Sequence, residues 1–108
     1  MRNKVFKDNY PKISMKAVII LYDLKKCNNA QRIKIQNTLY GYIDYSNKGL
    51  YKYKREGIVD KYLHLRLSRG GLIMKDKEKK EVVSLLKENK AKIQIIPINM
   101  AESYLKKL

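Results

Sequence analysis

The chain has 108 residues and carries 25 Lys and Arg against 10 Asp and Glu, a formal net charge of +15; it contains one Cys, one His and no Trp. That length suits one compact domain, charge of that sign selects polyanionic partners, and a lone Cys with a lone His excludes an intrachain disulfide and a Cys/His zinc cluster. No apolar run approaches the ~20 residues that cross a bilayer, and the opening MRNKVFKDNYPKIS lacks the apolar centre of a signal peptide, so a cytoplasmic protein with no membrane partner is expected.

Residues 1–14 read as an extension. Asn9-Tyr10-Pro11 disfavours regular structure, the first apolar run begins at Met15, and Lys4, Lys7 and Lys12 make the segment a basic arm. Residues 16–23, KAVIILYD, form a nearly continuous apolar run with three β-branched residues, which predicts a central strand buried on both faces. Asp23 ends that strand. A carboxylate there either holds a divalent cation or caps the loop that follows.

Asn28 or Asn29 is placed to cap a helix running to Tyr40, with Arg32, Lys34 and Gln36 exposed and Gly41 as terminator. The apolar pattern leaves its buried face open, since Ile33 and Tyr40 share one side and Ile35 and Leu39 another. Residues 39–57, LYGYIDYSNKGLYKYKREG, then hold five of the nine tyrosines among Lys48, Lys52, Lys54 and Arg55. Rings interleaved with cations suit stacked bases and phosphates, while alternating Tyr and Lys also suits an ordinary half-buried strand. Ser46-Asn47-Lys48-Gly49 is a turn tetrad. Residues 50–55 after it alternate as an edge strand of the sheet, with Tyr51, Tyr53 and Arg55 on one face and Leu50, Lys52 and Lys54 on the other.

Residues 62–69 alternate more cleanly. Leu63, Leu65 and Leu67 are expected on the core side and Tyr62, His64, Arg66 and Ser68 on the wet side. Gly70-Gly71 marks a bulge or a tight turn before Leu72-Ile73-Met74, and SRGG could bring backbone N–H groups near a phosphate. Asp76 is expected to cap a helix over residues 77–89 with a stripe of Val82, Val83, Leu85 and Leu86. Residues 92–98, KIQIIPI, close the sheet at an edge marked by Pro97. Residues 100–108 form a tail or short helix carrying Tyr104, Lys106 and Lys107.

The order β, α, β, β, α, β over residues 15–99 predicts an α+β, ferredoxin-like domain: an antiparallel sheet with two helices on one face. The other face is left open, and the apolar residues on both sides of the first strand predict a cover, either the basic arm or a second subunit in a homodimer.

The strand ending LYDL, the following helix with Arg32 and LYG at 39–41, and the closing IIPI at 95–98 resemble the small ferredoxin-like CRISPR-associated proteins of the spacer-acquisition complex. The resemblance implies a dimer that binds nucleic acid. For some members it also implies a metal-dependent nuclease using the aspartate that ends the first strand, which is Asp23 here. Where that family has a Ser-Val-Phe strand after the first helix, this chain has SNKGLYKYKREG.

No Walker, GxGxxG or HExxH motif occurs. The reading from sequence is a non-catalytic nucleic-acid-binding protein, RNA ahead of DNA, acting as a homodimer or as a component of a ribonucleoprotein such as the ribosome, without a cofactor. The contact residues expected are Tyr45, Lys48, Tyr51, Lys52, Tyr53, Lys54, Arg55, His64, Arg66 and Arg69. The alternative is a nuclease with Mg²⁺ on Asp23, joined by Asp44, Asp60 or Asp76 if the fold gathers them, or a metal-independent ribonuclease with His64 as base and Tyr62, Arg66 or Arg69 near the phosphate.

Overall fold

A computed structural model describes residues 14–46, 48–68 and 70–105. Strand β1 is Met15–Asp23, helix α1 Asn29–Tyr40, β2 Tyr42–Ser46, β3 Tyr51–Arg55, β4 His64–Arg66, β5 Gly71–Lys75, helix α2 Lys80–Glu88 and β6 Lys92–Met100, with short 3₁₀ turns at Ile58–Lys61, Asp76–Glu78 and Glu102–Tyr104. Over the described residues the protein is thus α+β, with two helices and two antiparallel sheets. One sheet has the order β4-β5-β1-β6; β2 and β3 form a separate ribbon.

The central position predicted for β1 holds. It pairs with β6 from Met15 opposite Met100 to Asp23 opposite Lys92, and on its other side with β5. Val18, Ile20 and Tyr22 point to one face, where they meet Ile35 and Leu39 of α1, Val82, Leu85 and Leu86 of α2, and Leu72 and Met74 of β5. Both helices therefore cover the same face of the larger sheet. Full burial of side chains such as Ile20, Leu39, Leu72 and Leu86 contributes about 1.5–3 kcal/mol each, which makes this layer the main source of stability.

Helix α1 starts as its sequence directs. The Asn28 side chain accepts from the Gln31 N–H at 2.8 Å, and the Gln31 side chain accepts from the Asn28 N–H at 2.9 Å, so two end groups are satisfied reciprocally. The helix buries Ile35 and Leu39, while Ile33 is 60% exposed.

Four expectations are corrected. Residues 50–55 do not form an edge strand of the larger sheet; among the described residues Tyr51–Arg55 pairs with Tyr42–Ser46 alone, and Leu50 lies in the turn. The strand expected over 62–69 shrinks to His64–Arg66, and its faces are inverted: His64 is 4% exposed opposite Met74, while Leu65 stands opposite Ile73 on the side away from the helices. Alternation has period two whichever face is covered, and this sheet is apolar on both faces, so the pattern could not assign the side. Asp76 caps no helix; it opens a 3₁₀ turn and pairs with Lys79 at 2.7 Å, and α2 begins later. Pro97 does not end the last strand, which runs on to Met100 as an outer strand paired, among the described residues, only with β1, where a missing N–H costs the ladder nothing.

Gly70-Gly71 closes the β4–β5 hairpin, with the Leu67 N–H donating to the Gly71 carbonyl at 3.0 Å and the Tyr22 N–H to the Gly70 carbonyl at 2.8 Å. Of the tail, Glu102–Tyr104 is a short turn. The expectations for the arm, with Lys4, Lys7 and Lys12, and for Lys106 and Lys107 lie outside the described residues. No helix among the described residues is long and apolar enough to cross a membrane.

Candidate nucleic-acid interface

The ribbon β2–β3 leaves the body of the protein at two glycines. Gly41 terminates α1, its N–H donating to the Asn37 carbonyl at 2.8 Å with φ at 81°, a conformation that favours glycine. Gly57 lies two residues past the return strand; its N–H donates to Asp60 Oδ2 at 2.7 Å. A Cβ at Gly57 would meet the Leu39 carbonyl oxygen and lie 2.5 Å from the Gly41 nitrogen, so the two backbones touch at the foot of the ribbon.

Cross-strand partners share a face. Tyr42 opposes Arg55, Asp44 opposes Tyr53 and Ser46 opposes Tyr51, so one face presents three tyrosines with an acid and a guanidinium. Ile43 opposes Lys54 and Tyr45 opposes Lys52 on the other. The expected grouping of Tyr51, Tyr53 and Arg55 stands, and Tyr42 joins it. Tyr42, Tyr45, Tyr51 and Tyr53 are all exposed, Tyr45 at 60%, and every residue of β3 is exposed.

The cations divide into two kinds. Arg55 donates from Nε to Asp44 Oδ2 at 3.0 Å, its Nη2 lies 2.9 Å from the same oxygen, and its guanidinium sits 5.6 Å from the Tyr53 ring centre. It therefore orients a ring more than it offers charge. Lys52 lies 5.9 Å from the Tyr45 ring centre, Lys54 reaches Asp60 at 4.0 Å, and Lys48, at φ 57°, stands in the exposed turn. A two-stranded ribbon alone is marginally stable in water. One that exposes four tyrosines, Ile43 and Leu50 has an apolar surface of the kind that partners cover.

The remaining site residues lie elsewhere. Asp23 accepts from the Lys25 N–H at 2.8 Å, the loop-capping alternative. Asp44 is held by Arg55, Asp60 by the Gly57 N–H, and Asp76 by Lys79, so none of them joins it. Among the described residues no three His, Cys, Asp or Glu side chains stand together as metal ligands would. His64 is not on a wet face: its Nδ1, 3.0 Å from the Tyr62 carbonyl oxygen, must be the protonated nitrogen because a carbonyl only accepts. Tyr62 donates to Glu81 at 2.8 Å. Arg69 lies outside the described residues.

Arg66 is exposed and lies on a ring of α1 that sequence reading did not foresee. Its guanidinium lies 3.7 Å from the Tyr40 ring centre, and the Tyr40 hydroxyl is 2.9 Å from that of Tyr22. Burial first, and the Tyr22 hydrogen bond second, push the Tyr40 hydroxyl well above the usual tyrosine range, so the ring under Arg66 is neutral. Strand β2 and Tyr42 were also missed, although YIDYS before a turn tetrad is half of a hairpin pattern. No protein-family model matches the chain, and no curated protein or solved structure matches it.

Proposed function

We propose that this protein is a non-catalytic nucleic-acid-binding module, with single-stranded RNA as the favoured ligand and the β2–β3 ribbon as the contact surface. The observation that carries the reading is the ribbon itself: Tyr42, Tyr51 and Tyr53 exposed on one face, Tyr45 and Lys52 on the other, in a chain with a net charge of +15. Exposed rings stack unpaired bases without regard to sequence, at about 1–3 kcal/mol per base, and neighbouring lysines neutralise phosphates. The ribbon, not the larger sheet, is the platform.

The larger sheet supports a ferredoxin-like reading of the core. Without the ribbon the order is β1, α1, β4, β5, α2, β6, with β1 between β5 and β6, which we read as a βαββαβ arrangement with residues 41–57 as an insertion. The face that no described residue covers carries Ile19 and Leu21 of β1 beside Ile73 and Ile96, and we assign that face to a homodimer contact or to a ribonucleoprotein neighbour in the cytoplasm.

Titration of labelled single-stranded RNA and DNA, with Mg²⁺ and with EDTA, tests the reading. Binding without cleavage, weakened at least about tenfold between 50 and 200 mM salt, is the expected result. Mg²⁺-dependent cleavage would favour the nuclease alternative, and no binding to either polymer would defeat the proposal.

A further inference from the structure

Beside the carboxyl end of β1 lies an open cleft of about 800 Å³ lined by Tyr22, Asp23, Lys25, Arg32, Arg66 and Gly70 among others, separate from the ribbon. Its two guanidiniums are fixed by groups that do not cancel their charge. Arg32 donates from Nε to the Cys27 carbonyl at 3.1 Å and from Nη2 to the Lys25 carbonyl at 3.2 Å. Arg66 lies on the Tyr40 ring, which Tyr22 holds in place. Neither arginine pairs with a carboxylate among the described residues.

The walls are held before any ligand arrives. The loop between β1 and α1 is pinned by the Lys25 N–H on Asp23, by Arg32 on two of its carbonyls, and by the Cys27 N–H on the Leu24 carbonyl at 3.0 Å. An arginine held by backbone carbonyls keeps its other N–H groups for an acceptor, and its planar fork matches phosphate oxygens. Such prior ordering lowers the entropic cost of binding.

We propose that this cleft binds a singly esterified phosphate of a nucleotide, with Arg32 and Lys25 on the phosphate oxygens and the base stacked on the free face of the Arg66 guanidinium. The strand-end form of this ligand rests on the nucleic-acid reading above. Three cations against the one Asp23 carboxylate leave an excess of two positive charges, which complements the −1.5 to −2 or so carried by a phosphate monoester near neutral pH better than the single charge of an internal diester. Bases stack on guanidinium planes as they do on aromatic rings, and the cleft is of nucleotide size.

Short single-stranded RNAs of one sequence, with a 5′-phosphate, a 3′-phosphate or neither, are compared by anisotropy, while uridine monophosphate is titrated against the ¹⁵N-labelled protein. A terminally phosphorylated strand is expected to bind about tenfold tighter than the unphosphorylated one. Lys25→Gln in the exposed loop should remove that preference and leave the unphosphorylated strand's affinity within about twofold, and Arg66→Gln, which takes away the stacking plane, should weaken binding of the monophosphate by about tenfold. If every strand binds alike and the monophosphate shifts no amides around Asp23, Gln36 and Gly70, the cleft proposal is overturned while the ribbon reading stands. If no strand binds but the monophosphate shifts those amides, the cleft is a free-nucleotide site and the ribbon reading fails instead.

Discussion

Gly41 and Gly57 meet backbone to backbone at the foot of the ribbon, where a Cβ on Gly57 would lie 2.5 Å from the Gly41 nitrogen. Because Gly57 has an ordinary extended φ of −93°, its requirement for glycine is purely one of space. Gly57→Ala should therefore cost about 2 kcal/mol or more in urea unfolding, through displaced backbone. Gly49→Ala at the far tip, with φ 88° but open space around it, should cost only the local strain of about 1 kcal/mol. Equal costs for the two would mean that the foot is not closed as described.

The face that α1 turns inward is testable by truncation. Leu39 is fully buried and Ile33 is 60% exposed, so Leu39→Ala should destabilise by about 2–5 kcal/mol and Ile33→Ala by no more than about 0.5 kcal/mol. Thermal or urea unfolding of the pair decides between the two faces that the apolar spacing left open.

How much of this was legible follows from the same residues. The nearly unbroken apolar run of β1 and the Asn28 cap of α1 are signals that depend on neighbours in sequence, and both were read. The strand His64–Arg66 failed because its side assignment depends on which face the helices cover, and both faces are apolar. The ribbon was half seen. Tyr51 to Arg55 alternates visibly, but its partner Tyr42–Ser46 buries no residue, and no local rule says that a hairpin stands free of the sheet. The Arg66–Tyr40 pair joins residues far apart in the chain and left no local trace.

Glu81 accepts from the Tyr62 hydroxyl and from Lys61 at 3.0 Å. The Tyr62 bond first, and Lys61 second, hold its carboxyl below the usual range. A folded-state value below the unfolded one contributes stability that is present above the unfolded pKa and lost as pH falls through the folded pKa. Wild type and Glu81→Gln should therefore differ in thermal midpoint near neutrality and converge below about pH 4. A difference that persists unchanged in acid would point to packing rather than charge.

Leu21 is on the face of β1 that the helices leave free among the described residues, at 36% exposure, opposite Gly71 on one side and Gln94 on the other. If a second copy covers this face, light scattering at micromolar concentration should give a dimer, and Leu21→Lys should shift it toward monomer without unfolding it. A wild-type protein that stays monomeric would contradict the dimer.

The central claim is that the ribbon tyrosines stack bases, and replacing Tyr51 and Tyr53 together by Leu tests it most directly, since apolar bulk is kept and the π face is removed. Both side chains are exposed, so thermal stability should change little. Anisotropy titration of single-stranded RNA across a salt series should show affinity reduced by about 1–3 kcal/mol per lost stack, with the slope of log affinity against log salt unchanged. A variant that binds as tightly as wild type, above all one that has lost thermal stability, would show that these rings pack rather than stack and that nucleic acid is held elsewhere.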